Sequence, residues 1–369
     1  MGFKCGIVGL PNVGKSTIFN ALTSAGAEAA NFPFCTKDPN VGMVNIPDPR
    51  LRELTRVYKP KKGEIPAIMQ FVDIAGLVKG ASQGEGLGNQ FLSHIREVDA
   101  VMHVVRCFED VNVTHVEGSV NPARDADVVN LELALRDLDT LDKKLKKDVK
   151  LAGQAASPES KDAKVRVAVL ERIKVFLDDG KPARLAGLSP EEIEPIKDLG
   201  LLTLKPMFYC ANMPEDEIQT GNAHLTALEA FAKGQNCDVV VISGKIESEI
   251  AELDASEKDD FLKTMGLTES GLDRVIHKGF SMLGLQTYFT AGEQETRAWT
   301  IHKGWKAPQA AGVIHSDFEK GFIRAETLGY ADFLKCGNWQ AAKEKGLVRT
   351  EGKEYMVQDA DIMHFLFNV

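Results

Sequence analysis

Eight residues near the start of the chain, Gly9-Leu10-Pro11-Asn12-Val13-Gly14-Lys15-Ser16, fit the pattern G-x-x-x-x-G-K-S, which is built to hold a chain of phosphates. Successive backbone N–H groups must close around phosphate oxygens, and bulky side chains are excluded at the turn positions. Asn12, Val13, Gly14, Lys15, Ser16 and Thr17 are therefore the expected phosphate-binding residues for a nucleoside triphosphate. Lys15 is placed to neutralise the β- and γ-phosphates, the Ser16 hydroxyl suits Mg2+ as a hard oxygen ligand, and Thr17 extends the helix start toward the phosphates. Asp73-Ile74-Ala75-Gly76 offers a carboxylate for the metal and a glycine N–H for the γ-phosphate. Thr36, at the end of Asn31-Phe32-Pro33-Phe34-Cys35-Thr36, is the second hydroxyl candidate for the metal, on a segment able to close over the γ-phosphate. In isolation the alternative for Thr36 is a place in a plain surface turn. Phosphoryl transfer to water needs positioning and charge neutralisation rather than a covalent residue, so Lys15, Asp73 and Gly76 are the catalytic candidates.

The base-reading segment is Asn212-Met213-Pro214-Glu215, where GTP-binding proteins usually carry N-K-x-D. The short aspartate of a guanine reader accepts hydrogen bonds from N1–H and the 2-amino group, donors that adenine lacks. Here Glu215 is one methylene longer, and Met213 replaces the lysine that packs along the base. Adenine offers a donor at N6 and acceptors at N1 and N7, which Asn212 and the backbone of Met213 can satisfy. The expected nucleotide is ATP, with Ser243-Gly244-Lys245 closing the pocket from the other side. Leu77 stands where many GTPases place the glutamine that orients the attacking water. Slow intrinsic hydrolysis is expected, with a partner, an ordered loop or a monovalent ion completing the site. Gly80, Gly84, Gly86 and Gly88 behind it suit a mobile switch or a plain solvent loop.

These residues need an α/β scaffold. Lys4 to Leu10 reads as a buried strand and Lys15 to Ser24 as the helix after the glycine-rich turn, while Ile68–Asp73, Ala100–Arg106, Pro206–Ala211 and Asp238–Ser243 are further apolar runs of strand length. Strands separated by helices imply a largely parallel sheet covered on both faces. Apolar residues at 128, 131, 135, 138, 145 and 149, then at Val165, Val169, Ile173 and Phe176, follow helical spacing on either side of the polar turn 153–161. They predict a helical hairpin inserted at 125–200. Beyond about residue 280, Thr287–Thr290, Arg297–Ile301 and Gly352–Val357 are short, aromatic and β-branched, predicting a small β-rich domain. The expected division is a P-loop domain at 1–124 and 201–278, the arm at 125–200 and the last domain at 279–369.

With 369 residues the chain exceeds one growing core, in keeping with that division. Its longest apolar stretches, such as Ala100–Val105, fall far below the ~20 residues that cross a bilayer, so no membrane partner is expected. The start of the chain lacks a signal-peptide pattern, and six cysteines without a C-x-x-C pair point to reduced thiols, so the expected location is cytoplasmic. A net charge of −9 argues against charge-driven adhesion to nucleic acid, DNA included. Local clusters at Lys143, Lys144, Lys146, Lys147 and Lys150, and at Arg50, Arg52, Arg56, Lys59, Lys61 and Lys62, are either solvated faces or an RNA-facing surface.

The combination Gly-Leu-Pro-Asn-Val-Gly-Lys-Ser, Phe-Pro-Phe-Cys-Thr, Asp-Ile-Ala-Gly-Leu-Val-Lys-Gly-Ala and Asn-x-x-Glu resembles the YchF (Obg-like ATPase) family of TRAFAC-class P-loop proteins, over essentially the whole chain. Val113–Val120 and the terminal Phe365-Leu366-Phe367-Asn368-Val369 look typical of it as well. The resemblance implies a G domain, an inserted coiled-coil arm and a C-terminal TGS domain of ubiquitin-like β-grasp type. It also implies ATP preference and association with the ribosome, the 70S particle and large subunit with their RNA, by a monomer. Residue by residue, Asn12 through Thr17 would hold the phosphates, Ser16 and Thr36 the magnesium, and main-chain atoms at Met213 the adenine. Asp359-Ala360-Asp361 departs from the family's usual Asp-Gly-Asp. Two alternatives stand beside the ATPase: a GTPase of the same fold that tolerates Glu215, and a binding protein whose nucleotide turns over little.

Overall fold

The computed structural model describes residues 3–25, 40–74, 95–154 and 157–368. Through the first three quarters of the chain the elements run β1 (Phe3–Val8), α1 (Lys15–Ala25), β2 (Val41–Asn45), α2 (Pro49–Tyr58), β3 (Glu64–Ile65), β4 (Ile68–Asp73), β5 (Ala100–Arg106), α3 (Pro122–Ala152), α4 (Pro158–Asp178), β6 (Met207–Asn212), α5 (Ala223–Gly234), β7 (Val239–Ile242) and α6 (Gly244–Ala251). Six of these strands form one sheet in the order β2-β4-β1-β5-β6-β7. β1 pairs with β5, β5 with β6 and β6 with β7, all parallel. Every residue of β5 and β6 is buried, as expected for central strands covered on both faces. The registers set Arg106 beside Asn212 and Asn212 beside Ile242, so the carboxyl ends of neighbouring strands meet at one edge. Ligands of open α/β sheets bind at that edge.

The arm is an antiparallel hairpin of α3 and α4. Asn121 and Ser157 cap the two helices through Arg124 N and Ser160 N, each followed by proline at the first helical position. Arg166 grips Asp148 at 2.9 and 3.1 Å, and Lys174 reaches Asp142 at 2.9 Å. The inward face of α3 differs from the predicted stripe. Leu131, Leu135 and Val149 are exposed, whereas Val129, Leu133, Ala134 and Leu141 are buried together with Asn130, Asp137 and Asp148. On α4, Val169, Leu170, Ile173 and Leu177 pack inward and Val165 faces out.

A stripe counted from apolar residues alone misses this face, because each buried polar residue on it has a partner. Asn130 Nδ2 donates to Tyr209 Oη at 2.8 Å, and Asp137 accepts from Leu202 N, Thr203 N and Thr203 Oγ1 at 2.7, 2.7 and 2.6 Å. Burial pushes the Asp137 carboxyl up to about 6 against the pull of those three donors.

The chain divides into two compact units, one of Phe3–Gly42 with Gln70–Val275 and one containing Met43–Met69 with Ile276–Val369. In the second unit, β8 (Leu285–Ala291), β9 (Thr296–His302), β10 (Phe322–Gly329), β11 (Arg349–Glu351) and β12 (Asp361–Phe367) form a sheet of order β11-β10-β12-β8-β9-β3. β8 and β9 are an antiparallel hairpin, and β8 lies parallel to the last strand β12, which is the β-grasp arrangement. Residues 43–69, counted with the P-loop domain from sequence, belong to this unit. β3 adds to β9 in parallel, and Arg50 of α2 donates to Asp359 at 2.6 Å and lies over the Phe289 ring at 5.5 Å.

Residues 352–357, predicted as a strand, are a turn with one bridge from Met356 to Lys306, and the further strands are β10, β11 and β12. Ala360 sits at φ 65° with its N–H on Thr287 O at 2.7 Å. That left-handed conformation costs a non-glycine residue roughly 1–2 kcal/mol, offset here by Asp359 Oδ1 accepting from Thr287 N at 3.1 Å.

His103, in the middle of β5, is 1% exposed, and its Nδ1 has no partner. Burial first, then the charges of Arg184 and Lys15, push its pKa down to about 3. A base depressed in the folded state contributes stability that is full above its unfolded pKa near 6.5 and is lost as pH falls toward 3. Urea unfolding should show a loss approaching about 1.4 kcal/mol per pH unit below pH 6 from this group. His103→Gln should flatten that limb; an unchanged slope would mean the imidazole charges freely in the folded chain.

Candidate functional site

The turn between β1 and α1 has its backbone bent where side chains would interfere. Gly9 has φ 153° and a Cβ there would run into Val104 O, while Gly14 has φ 97° and a Cβ there would overlap Asn212 Nδ2. Asn12 adopts φ 60° and its Nδ2 donates to Thr114 O at 3.2 Å. Val13 is buried, and Ser16 and Thr17 are exposed at the start of α1. The first turn of that helix carries no acidic residue, so nothing negative competes with a phosphate for its N–H groups.

Lys15 is 8% exposed and its Nζ donates to Leu10 O at 2.7 Å. Burial lowers the pKa of its ammonium, and Asp73 pushes it back up. Asp73, at the end of β4, shows the mirror image: burial raises its carboxyl and Lys15 pulls it down. Its Oδ1 is buried without a hydrogen-bond partner. An orphaned carboxylate oxygen in the field of a buried ammonium, with an exposed serine next to that lysine in the chain, is a donor set that a divalent cation with phosphate ligands would complete, so the residues fit Mg2+. Thr36 and Gly76, together with Leu77 and the glycines behind it, lie outside the described residues.

The base side is a cleft of about 730 Å³ lined by Gly14, Thr17, Phe108, Asn212, Met213 and Ser243 among others. Asn212 is 5% exposed, and its amide joins two turns: Nδ2 donates to Val13 O at 3.0 Å and Oδ1 accepts from Gly244 N at 2.9 Å. The sequence assigned that amide to adenine; the fold engages it in the scaffold. The Met213 N–H is likewise engaged, donating to Ile242 O at 2.8 Å, so the Met213 carbonyl is the main-chain group left for a base. Ser243 Oγ is buried and unpartnered at the cleft. Glu215 also lines the cleft and is ion-paired there with Lys245 at 2.7 Å.

Sequence reasoning passed over the loop after β5. Phe108, Asp110 and Val113 line the cleft, and Arg106 donates to their three carbonyls. Beyond it His115 pairs with Asp125 at 2.9 Å, at the root of α3. The signal was available: ligands of open α/β sheets bind outside the carboxyl ends of the strands, and Arg106 is a polar residue at such an end.

A mainly parallel α/β sheet with this phosphate turn and an adjoining cleft defines a P-loop nucleotide-binding protein. The model of the 50S ribosome-binding GTPase family matches residues 4–147, and that of the YchF GTPase C-terminal region, described as a protein of unknown function, matches residues 285–368. The ribosome-binding ATPases YchF of Bacillus subtilis and Escherichia coli O157:H7 are each 55% identical, with 100% of both chains covered. The solved structure of the Schizosaccharomyces pombe YchF GTPase superposes with a TM-score of 0.89 at 40% identity, covering 99% of this chain and 98% of that one. The chain belongs to the YchF family.

Asn212→Ala would leave Val13 O and Gly244 N without their buried partner, a cost of about 1–3 kcal/mol for each group. Urea unfolding should show a loss of at least about 2 kcal/mol, and calorimetric titration should show nucleotide affinity reduced at least about tenfold. A variant with wild-type stability would mean that the two turns hold their geometry without the amide.

Proposed function

We propose that this chain is a Mg2+-dependent ATPase that binds ATP in preference to GTP and acts as a nucleotide-controlled switch on the ribosome. The observation that carries the hydrolytic reading is the buried Lys15 with the half-buried Asp73, whose Oδ1 is out of water, each shifted toward neutrality by desolvation and each pulled back by the other's charge. On this reading Asn12 to Thr17 hold the phosphates, and Lys15 leaves Leu10 O to neutralise the β- and γ-oxygens. Ser16 and Thr36 would hold the magnesium with Asp73 behind them; bound there, it supplies charge neutralisation across the phosphate oxygens. Gly76 N–H would meet the γ-phosphate. With Leu77 in place of a water-orienting glutamine, turnover by the isolated chain is slow.

The base preference is supported by Glu215 and Lys245. The carboxylate that would accept guanine's N1–H and 2-amino group is ion-paired at the rim. The Met213 carbonyl would accept from adenine N6, with the Ser243 hydroxyl alongside, while Asn212 holds the cleft in shape. Calorimetric titration of nucleotide-free protein with magnesium should give ATP binding about tenfold tighter than GTP, near 1.4 kcal/mol. Phosphate release should be multiple-turnover and absent from Lys15→Ala. A GTP preference would reassign the chain as a GTPase, and release no greater than in Lys15→Ala would make it a nucleotide-dependent binding protein.

Ribosome association is supported by the chain's relatives, which are named ribosome-binding ATPases, and by the arm, where Lys143, Lys146, Lys147 and Lys150 are exposed while Lys144 is taken by Asp148. In the other basic cluster Arg50 and Arg56 are already paired with acids. The expected target is the 70S particle or its large subunit and their RNA, met in the cytoplasm by a monomer. No described helix is long and apolar enough to cross a membrane. The chain should co-sediment with ribosomes in a nucleotide-dependent manner, and Lys146→Glu with Lys147→Glu should weaken the complex and lower its salt dependence. Failure to pellet in the ATP, ADP and nucleotide-free states alike would remove the ribosome from this reading.

A further inference from the structure

Arg106 ends β5 and is 1% exposed, so its guanidinium is a cation taken almost wholly out of water. Such a group persists only when its donors are satisfied. The acceptors here are main-chain carbonyls of one loop: Nε donates to Phe108 O at 3.0 Å, Nη2 to Asp110 O at 3.2 Å and Nη1 to Val113 O at 2.9 Å. The guanidinium also lies over the Phe108 ring, 4.6 Å from its centroid. The same loop walls the base cleft. Its ends are tied to the rest of the site, with Cys107 N on Asn212 O at 2.9 Å, Asn222 Nδ2 on Cys107 O at 2.9 Å, and Asn12 Nδ2 on Thr114 O at 3.2 Å. An ammonium radiates its donors from a single nitrogen, so lysine cannot span three separated carbonyls as this planar fork does.

We infer that Arg106 is a positioning residue that preforms the base-side wall of the cleft, and so sets its affinity and selectivity for the nucleobase without acting on the phosphates. This rests on the reading of the cleft as a nucleotide site. Wrapping a loop around a buried cation fixes the loop before ligand arrives, and preorganisation of that kind lowers the ordering cost of binding. The effect falls on the base, because the phosphate turn takes its shape from Gly9, Gly14 and the Asn212 amide, and among the described residues its side chains hydrogen-bond the far end of the loop through Asn12 Nδ2 alone.

The test is calorimetric titration of wild type, Arg106→Lys and Asn222→Ser with MgATP, MgGTP and magnesium tripolyphosphate, a probe that has phosphates and no base. Arg106→Lys should lose about tenfold or more in ATP affinity, with the ATP-to-GTP ratio moving toward one and tripolyphosphate affinity unchanged. Asn222→Ser keeps a helix-capping hydroxyl for α5 and loses the donor to Cys107; it should shift ATP affinity in the same direction by about threefold, and it decides the matter should Arg106→Lys not fold. Wild-type ATP affinity in whichever variant folds would overturn the inference. So would a parallel loss of tripolyphosphate, which would mark Arg106 as a general folding residue. A wild-type chain that binds tripolyphosphate but neither nucleotide would overturn the nucleotide reading itself, and the inference with it.

Discussion

Two hydrogen bonds from one buried amide hold the site together. Asn212 ends β6 and joins Val13 of the phosphate turn to Gly244 of the turn after β7. The glycine at 14 answers to this amide as well as to phosphate, because a Cβ there would overlap Asn212 Nδ2. Phosphate turn and base cleft therefore form one rigid piece of backbone. A buried amide in that position tolerates no change of donor and acceptor, since each of its partners is a main-chain group with no other obvious bond to make.

Around that piece the charges are arranged in an unfinished state. Lys15 is buried and Asp73 half-buried with its Oδ1 out of water, and this desolvation disfavours the charged form of each. An ammonium resting on a carbonyl and a carboxylate with an orphaned oxygen are paired more weakly than they would be with phosphate and a divalent cation. Perturbed pairs of this kind concentrate at functional sites, although structural ion pairs also produce them. Here Lys15 belongs to the glycine-rich turn itself, and Asp73 ends the strand β4.

The arm depends on a related rule. Asn130, Asp137 and Asp148 occupy its inward face, and each finds a partner on β6, on the 202–203 turn or on α4. A polar group in such a position is costly in any other register, so these contacts favour a single seating of α3. The exposed Leu131 and Leu135 show that counting apolar residues cannot identify that face.

Much of the scaffold was legible in sequence. Five strands of the P-loop sheet follow from apolar runs between helices, and the helical hairpin follows from two stripes about a polar turn, although its helices start at Pro122 and Pro158, earlier than those stripes placed them. What sequence could not show were partners distant along the chain: β3 adding to β9, Arg50 reaching Asp359, and Asp137 meeting Thr203. The amino-acid sequence by itself determined the phosphate chemistry, because a P-loop is local and its glycines, lysine and serine act within a single turn. Only the tertiary structure decided the base cleft. The sequence offered the Asn212 amide and the Met213 backbone to adenine, and the fold engages the amide and the Met213 N–H in the scaffold and leaves the Met213 carbonyl. It also hid Arg106, whose role depends on carbonyls that come within reach only once the chain has turned back beyond β5.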